Sequence, residues 1–90
     1  MSAPALSEPV IIARFFKGHA RKDIVRVTLS EYEGVPIVDV RQFFTGEDGK
    51  VRPTKKGVAL AVRRLPDLAS AIGKAVAKAR ELGLIEDDAS

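Results

Sequence analysis

Between Ile24 and Tyr32 the chain alternates: Val25, Val27 and Leu29 fall on one side, and Arg26, Thr28, Ser30 and Tyr32 on the other. A period of two marks a β-strand with one buried and one solvated face. Upstream, VIIARFFK at Val10–Lys17 is apolar, β-branched and aromatic, and Gly18 closes it, so it reads as a further strand. Downstream, Glu33-Gly34 is a hairpin-type turn signal. Pro36–Phe44 then resumes the alternation, with Val38 and Val40 on one face and Ile37, Asp39, Arg41 and Phe43 on the other. Thr45–Gly49 is a loop with two glycines. Beyond it the pattern is irregular around Pro53 and settles into a strand at Gly57–Val62. The period then changes. Leu65, Leu68, Ile72, Ala75, Val76, Ala79 and Leu82 recur at helical spacing, Pro66 and Asp67 suit a first turn, and Gly83 suits a C-cap.

Four strands followed by one helix predict an α+β fold, a four-stranded curved antiparallel sheet with a single C-terminal helix, ββββα. The expected organisation is a flexible tail at residues 1–9, one domain at 10–84 and an acidic tail at 85–90. The helix is expected on one face of the sheet, where it covers only part of the apolar surface. A chain of 90 residues also buries a small core. Both considerations predict a homodimer, with the stripe Leu65, Leu68, Ile72, Val76 and Leu82 at its interface and Phe15 and Phe16 in the core or that interface.

Composition narrows the chemistry. There is no cysteine, which excludes disulfides, thiol catalysis and cysteine-held metal, and His19 is the one histidine, which excludes a histidine-rich metal site. No nucleophile–base pair surrounds that histidine and no Walker-type glycine loop is present, so no enzyme, metal or cofactor is expected. No apolar run spans a bilayer and no signal-peptide pattern opens the chain, so a soluble cytoplasmic protein is expected, nucleoid-associated if bacterial. Charge is unevenly placed: residues 21–64 hold ten Lys/Arg against six acids, and residues 65–90 hold three against five. A basic middle segment points to a polyanion-binding face.

Residues Val25–Leu60, VRVTLSEYEGVPIVDVRQFFTGEDGKVRPTKKGVAL, resemble the core of the transcriptional coactivator family known as positive cofactor four. The resemblance lies in the order and spacing of several pieces: Ser30-Glu31-Tyr32-Glu33-Gly34, then Val38-Asp39-Val40-Arg41 with two aromatics following, an acidic glycine loop, and Arg52-Pro53-Thr54-Lys55-Lys56-Gly57 before an apolar strand. It implies a dimer of ββββα protomers whose sheets present grooves to single-stranded nucleic acid with little sequence preference. A bacterial or minimal member is the closer likeness. Eukaryotic members are transcription cofactors and bacterial ones are associated with DNA binding and repair.

Tolerant single-strand binding needs cations along the phosphates and aromatic faces for bases. The resemblance implies base stacking at Tyr32 and Phe44 and phosphate contacts at Arg41, Arg52, Lys55 and Lys56. Alternation adds Arg26, which shares a strand face with Tyr32. Phe43 and Phe44 are expected to divide, one into the core and one to the surface. Two features depart from the family pattern. Glu33 and Val35 stand where eukaryotic members are basic, and Phe44 replaces their tryptophan; both predict weaker sites. Arg41 and Phe44 are three residues apart, so a regular strand sends them to opposite faces unless a bulge intervenes. The other classes of function compatible with the chain are a protein-interaction module whose basic face recruits an acidic polymerase or repair subunit, and a single-stranded RNA binder.

Overall fold

The computed structural model describes residues 8–19 and 21–85; most of the expected N-terminal tail and all but Ile85 of the acidic tail lie outside them. Four strands, β1 (Val10–Phe16), β2 (Asp23–Tyr32), β3 (Val35–Thr45) and β4 (Val51–Ala61), form one antiparallel meander in the order β1-β2-β3-β4. The β2–β3 connection is the two-residue turn Glu33-Gly34, with φ of 50° and 82°. Two positive φ values give the turn that matches the twist of a hairpin.

β4 is longer than the sequence pattern indicates, beginning at Val51 and not at Gly57. Pro53 is accommodated because β4 is an edge strand, where a missing N–H costs no ladder bond on the open side. Between the pairs Arg41–Gly57 and Phe43–Pro53, β3 advances two residues while β4 advances four. The extra residues form a bulge that includes Lys55 and Lys56, and this is what breaks the alternation.

The core is thin and sits on β3. Val38 is 1% exposed, between its cross-strand partners Leu29 and Leu60. Phe43 is 8% exposed, on the opposite face. A 3-10 turn, Val62–Arg64, leads straight into α1 (Leu65–Glu81). The helix was expected to lie on a sheet face. Instead its main neighbour is the 3-10 turn, and none of its residues is buried. A three-residue 3-10 turn joins β4 to α1 directly, and it is this turn that α1 meets. At its far end Leu84 N–H bonds Ala79 C=O and Gly83 N–H bonds Arg80 C=O, with Gly83 at φ 75°, the left-handed C-cap that its position predicts. Phe15 and Phe16 are 58% and 52% exposed, so within one chain they are not core.

Candidate nucleic-acid interface

Residues paired across neighbouring strands share a face, so the register decides which side chains meet. Arg14 pairs with Arg26, Arg26 with Arg41, and Arg41 with Gly57. Three arginines therefore stand abreast on one face, and the fourth place in the row is the glycine next to Lys55-Lys56. The result is a basic band crossing the sheet from edge to edge. Directly opposed like charges destabilise a sheet unless something neutralises them.

Only part of this band is neutralised. Arg41 donates from Nε and Nη2 to the Asp39 carboxylate, at 3.0 and 3.1 Å, and from Nη1 to Thr54 C=O at 2.9 Å. Those contacts fix the β4 bulge. Thr54 completes it, donating its hydroxyl to Gln42 C=O at 2.7 Å and accepting from Lys56 N–H at 3.1 Å. Gly57 is needed at this point: a Cβ there would lie 2.7 Å from Val40 O and 2.8 Å from Arg41 Cα. The bulge leaves Lys55 and Lys56 exposed at the sheet's edge.

Arg26 behaves differently. Its guanidinium carbon lies 3.8 Å from the centre of the Phe43 ring, well within cation–π range. Stacking covers Phe43 and buries Nε, which has no hydrogen-bond partner. Arg14, exposed on β1, has no carboxylate partner among the described residues. Arg14 is not among the residues that the alternation singles out. Its signal is a lone charge inside an apolar strand, but its place beside Arg26 follows only from the register.

The two expected stacking aromatics are not brought together. Tyr32, 65% exposed, is at the hairpin end of the face that carries Arg26 and Arg41. It is six residues along β2 from Arg26, about 20 Å at roughly 3.4 Å per residue. Phe44 is 39% exposed on the opposite face and at the other end of β3, about 30 Å from the hairpin by the same rise. As expected, Phe43 turns in and Phe44 out. The β3 register is regular at Arg41–Phe44 on its β2 side, so the bulge in β4 does not carry Phe44 over to the face of Arg41.

Arg52 pairs with Phe44 across β3–β4 and shares its face. Its guanidinium grips the Asp48 carboxylate at 2.6 and 3.1 Å. That contact, and then the Lys50 N–H, hold the Asp48 carboxyl below its usual range, while Asp48 raises the Arg52 guanidinium. Among the described residues no His, Asp and Glu side chains cluster as metal ligands, and no helix is long and apolar enough to cross a membrane. The helical-stripe residues Leu65, Leu68 and Val76 are half-buried, and Ile72 and Leu82 are exposed.

Comparison with known proteins gives the same answer as the topology. The family model described as Transcriptional Coactivator p15 (PC4) matches residues 19–71. A crystal structure of a PC4 homologue from Burkholderia pseudomallei K96243 is similar, with 25% identity and a TM-score of 0.68 over 81% of this chain and 96% of that one. A bacteriophage T5 homologue of the eukaryotic coactivator PC4, implicated in recombination-dependent DNA replication, shares the fold at 19% identity, with a TM-score of 0.61 over 86% of this chain and 90% of its own. No curated protein matches the chain.

Proposed function

The chain belongs to the Transcriptional Coactivator p15 (PC4) family, and on that premise we propose that it binds single-stranded DNA with little sequence preference, as a homodimer, in the role of a DNA-binding transcription cofactor or repair accessory. The observation that carries this reading is the basic band at the level of Arg26, Arg41 and Gly57, which runs across all four strands with Asp39 as its one carboxylate among the described residues. A row of cations transverse to the strands suits a phosphodiester chain, whose charges repeat at regular intervals.

In this mechanism Lys55 and Lys56, carried outward by the bulge, attract phosphates, and Arg41 holds the bulge that presents them. Tyr32 offers an exposed ring for a base at the hairpin end. Phe44, with Arg52 beside it, offers a second ring on the other face. A dimer resolves their separation, because one protomer's Tyr32 face and its partner's Phe44 face can line one groove. The apolar stripe of α1, of which no residue is buried, supports that assembly.

The test is competition among single-stranded DNA, duplex DNA and single-stranded RNA at one stated salt concentration. Single-stranded DNA should win over duplex. If a protomer neutralises ~4–6 phosphates, log affinity against log salt should slope roughly −3 to −4. Changing Lys55→Ala with Lys56→Ala should flatten that slope by roughly 1 or more. Equal retention on duplex and single strand overturns the single-strand reading. No retention on any nucleic acid, with retention on an acidic protein, establishes the interaction module in its place.

A further inference from the structure

Arg14 and Arg26 are direct cross-strand partners on one face, with side-chain origins about 5 Å apart. Among the described residues neither forms an ion pair. Asp39 is the nearest strand carboxylate on that face, and Arg41 holds it through both its oxygens. Asp23 and Glu31, the acids of β2, point to the opposite face by register. A third cation lies close by: Arg21, in the β1–β2 connection, sits 5.5 Å from the centre of the Phe16 ring, and Phe16 is two positions from Arg14 on the same face. Phe16, Arg14 and Ile24, with Phe15 of the other face, also line a groove at this edge.

Stacking on Phe43 explains why Arg26 is where it is. It does not explain a buried Nε–H without an acceptor, nor a second arginine opposite it with no counter-charge. An anion held between the two guanidiniums would supply the counter-charge that the pair lacks among the described residues. We infer that Arg14 and Arg26 form a phosphate-binding pair, so that the bound strand crosses the whole width of the sheet and leaves over β1. This rests on the single-strand reading for its ligand. It adds a contact at the edge opposite Lys55-Lys56 and makes Arg14, which lies outside the matched residues 19–71, part of the interface.

The experiment follows the arginine Nε–H resonances of the isotope-labelled full chain by NMR. The titrants are the dinucleotide d(TpT) and, separately, inorganic phosphate. The salt slope for an oligothymidylate is then measured on wild type and Arg14→Gln. Arg14 is exposed on an edge strand, so Arg14→Gln should keep the backbone amide spectrum. The Arg26 Nε–H signal should move saturably with d(TpT), and Arg14→Gln should weaken that response several-fold. On the oligothymidylate, Arg14→Gln should flatten the slope by roughly 0.7, the value of one single-strand phosphate contact. An Arg26 signal unmoved by d(TpT), with an unchanged slope in Arg14→Gln, overturns the inference; the single-strand reading then stands if the oligothymidylate still binds. If the oligothymidylate does not bind, that reading fails, and the response of Arg26 to inorganic phosphate still decides whether the pair is an anion site.

Discussion

In the β3–β4 half of the sheet each arginine is matched to a carboxylate, Arg41 to Asp39 and Arg52 to Asp48. In the β1–β2 half Arg14 and Arg26 face each other with none among the described residues. The residue type is the same and the use is opposite. Arg41 organises backbone, tying β3 to the Thr54 carbonyl in the bulge, and Arg52 closes the loop before β4. Arg14 and Arg26 organise no backbone and remain available to an external anion. An arginine in a position that matches a family therefore has two possible employments, and its local carboxylate tells them apart. In the β3–β4 half the exposed cations left for a ligand are Lys55 and Lys56, which the arginine-built bulge presents.

The largest effect should come from breaking the organised half. Gly57→Ala places a Cβ against Val40 O and Arg41 Cα, backbone atoms that cannot swing aside. Overpacking of this kind costs about 1–3 kcal/mol. For a domain of this size that is a fall in Tm of roughly 4–24 °C by calorimetry. If stability is unchanged, β4 does not approach β3 as closely as the register requires, and the account of the bulge fails with it.

The next effect separates the two aromatic ends. Base stacking is worth ~1–3 kcal/mol per base by alanine substitution. Tyr32→Ala should therefore lose roughly five- to a hundred-fold in single-strand affinity, at about 1.4 kcal/mol per decade. The ring is 65% exposed, so Tm should barely move. Phe44→Ala, on the other face, should lose affinity only in the dimer, where a partner brings that face to the groove. Fluorescence titration of both variants, with light scattering at each concentration, checks this. A loss for Phe44→Ala under monomeric conditions would mean that one strand wraps both faces of a single sheet.

Much of this arrangement was legible in the sequence, and the remainder has identifiable physical causes. Period-two alternation placed β2 and β3, and period-3.6 recurrence placed α1 with its Gly83 cap. The first half of β4 was hidden because two extra residues at Lys55-Lys56 destroy the alternation that marks a strand. The docking of α1 is not legible in the sequence because periodicity reports which face is apolar, not what covers it. Tyr32, Arg26, Arg41, Phe44 and Arg52 can be named as candidates from the sequence, whereas the separation of Tyr32 from Phe44 is a matter of strand length and parity together. Arg14 was invisible for the same reason: pairing register is a tertiary fact, and nothing in VIIARFFK states which residue of β2 stands opposite.

The smallest expected effect converts an organised arginine into a free one. Asp48→Asn removes the carboxylate that Arg52 grips while keeping a side-chain oxygen that can accept from Lys50 N–H. Arg52 then becomes available beside Phe44, and single-strand affinity should rise by about two- to three-fold at low salt, a gain that disappears as salt screens it. Glu47→Gln is the control, since it removes the same charge one residue away and frees no arginine; it should gain less. The pH dependence gives a second handle on the same pair. Asp48 is held below its usual value, chiefly by Arg52, so its contribution to the loop is fully present above the ordinary aspartate value of about 3.9 and is lost as pH falls through the lower folded value. At neutral pH the pair is intact. On acidification below about pH 4 the Gly46–Lys50 loop amides should lose protection relative to their intrinsic exchange rates in wild type, and Asp48→Asn should show that lower protection already at neutral pH. Equal affinity for Asp48→Asn and Glu47→Gln would show that the Asp48 contact does not hold Arg52 away from the DNA, and the distinction between organising and available arginines would then rest on Arg41, Arg14 and Arg26 alone.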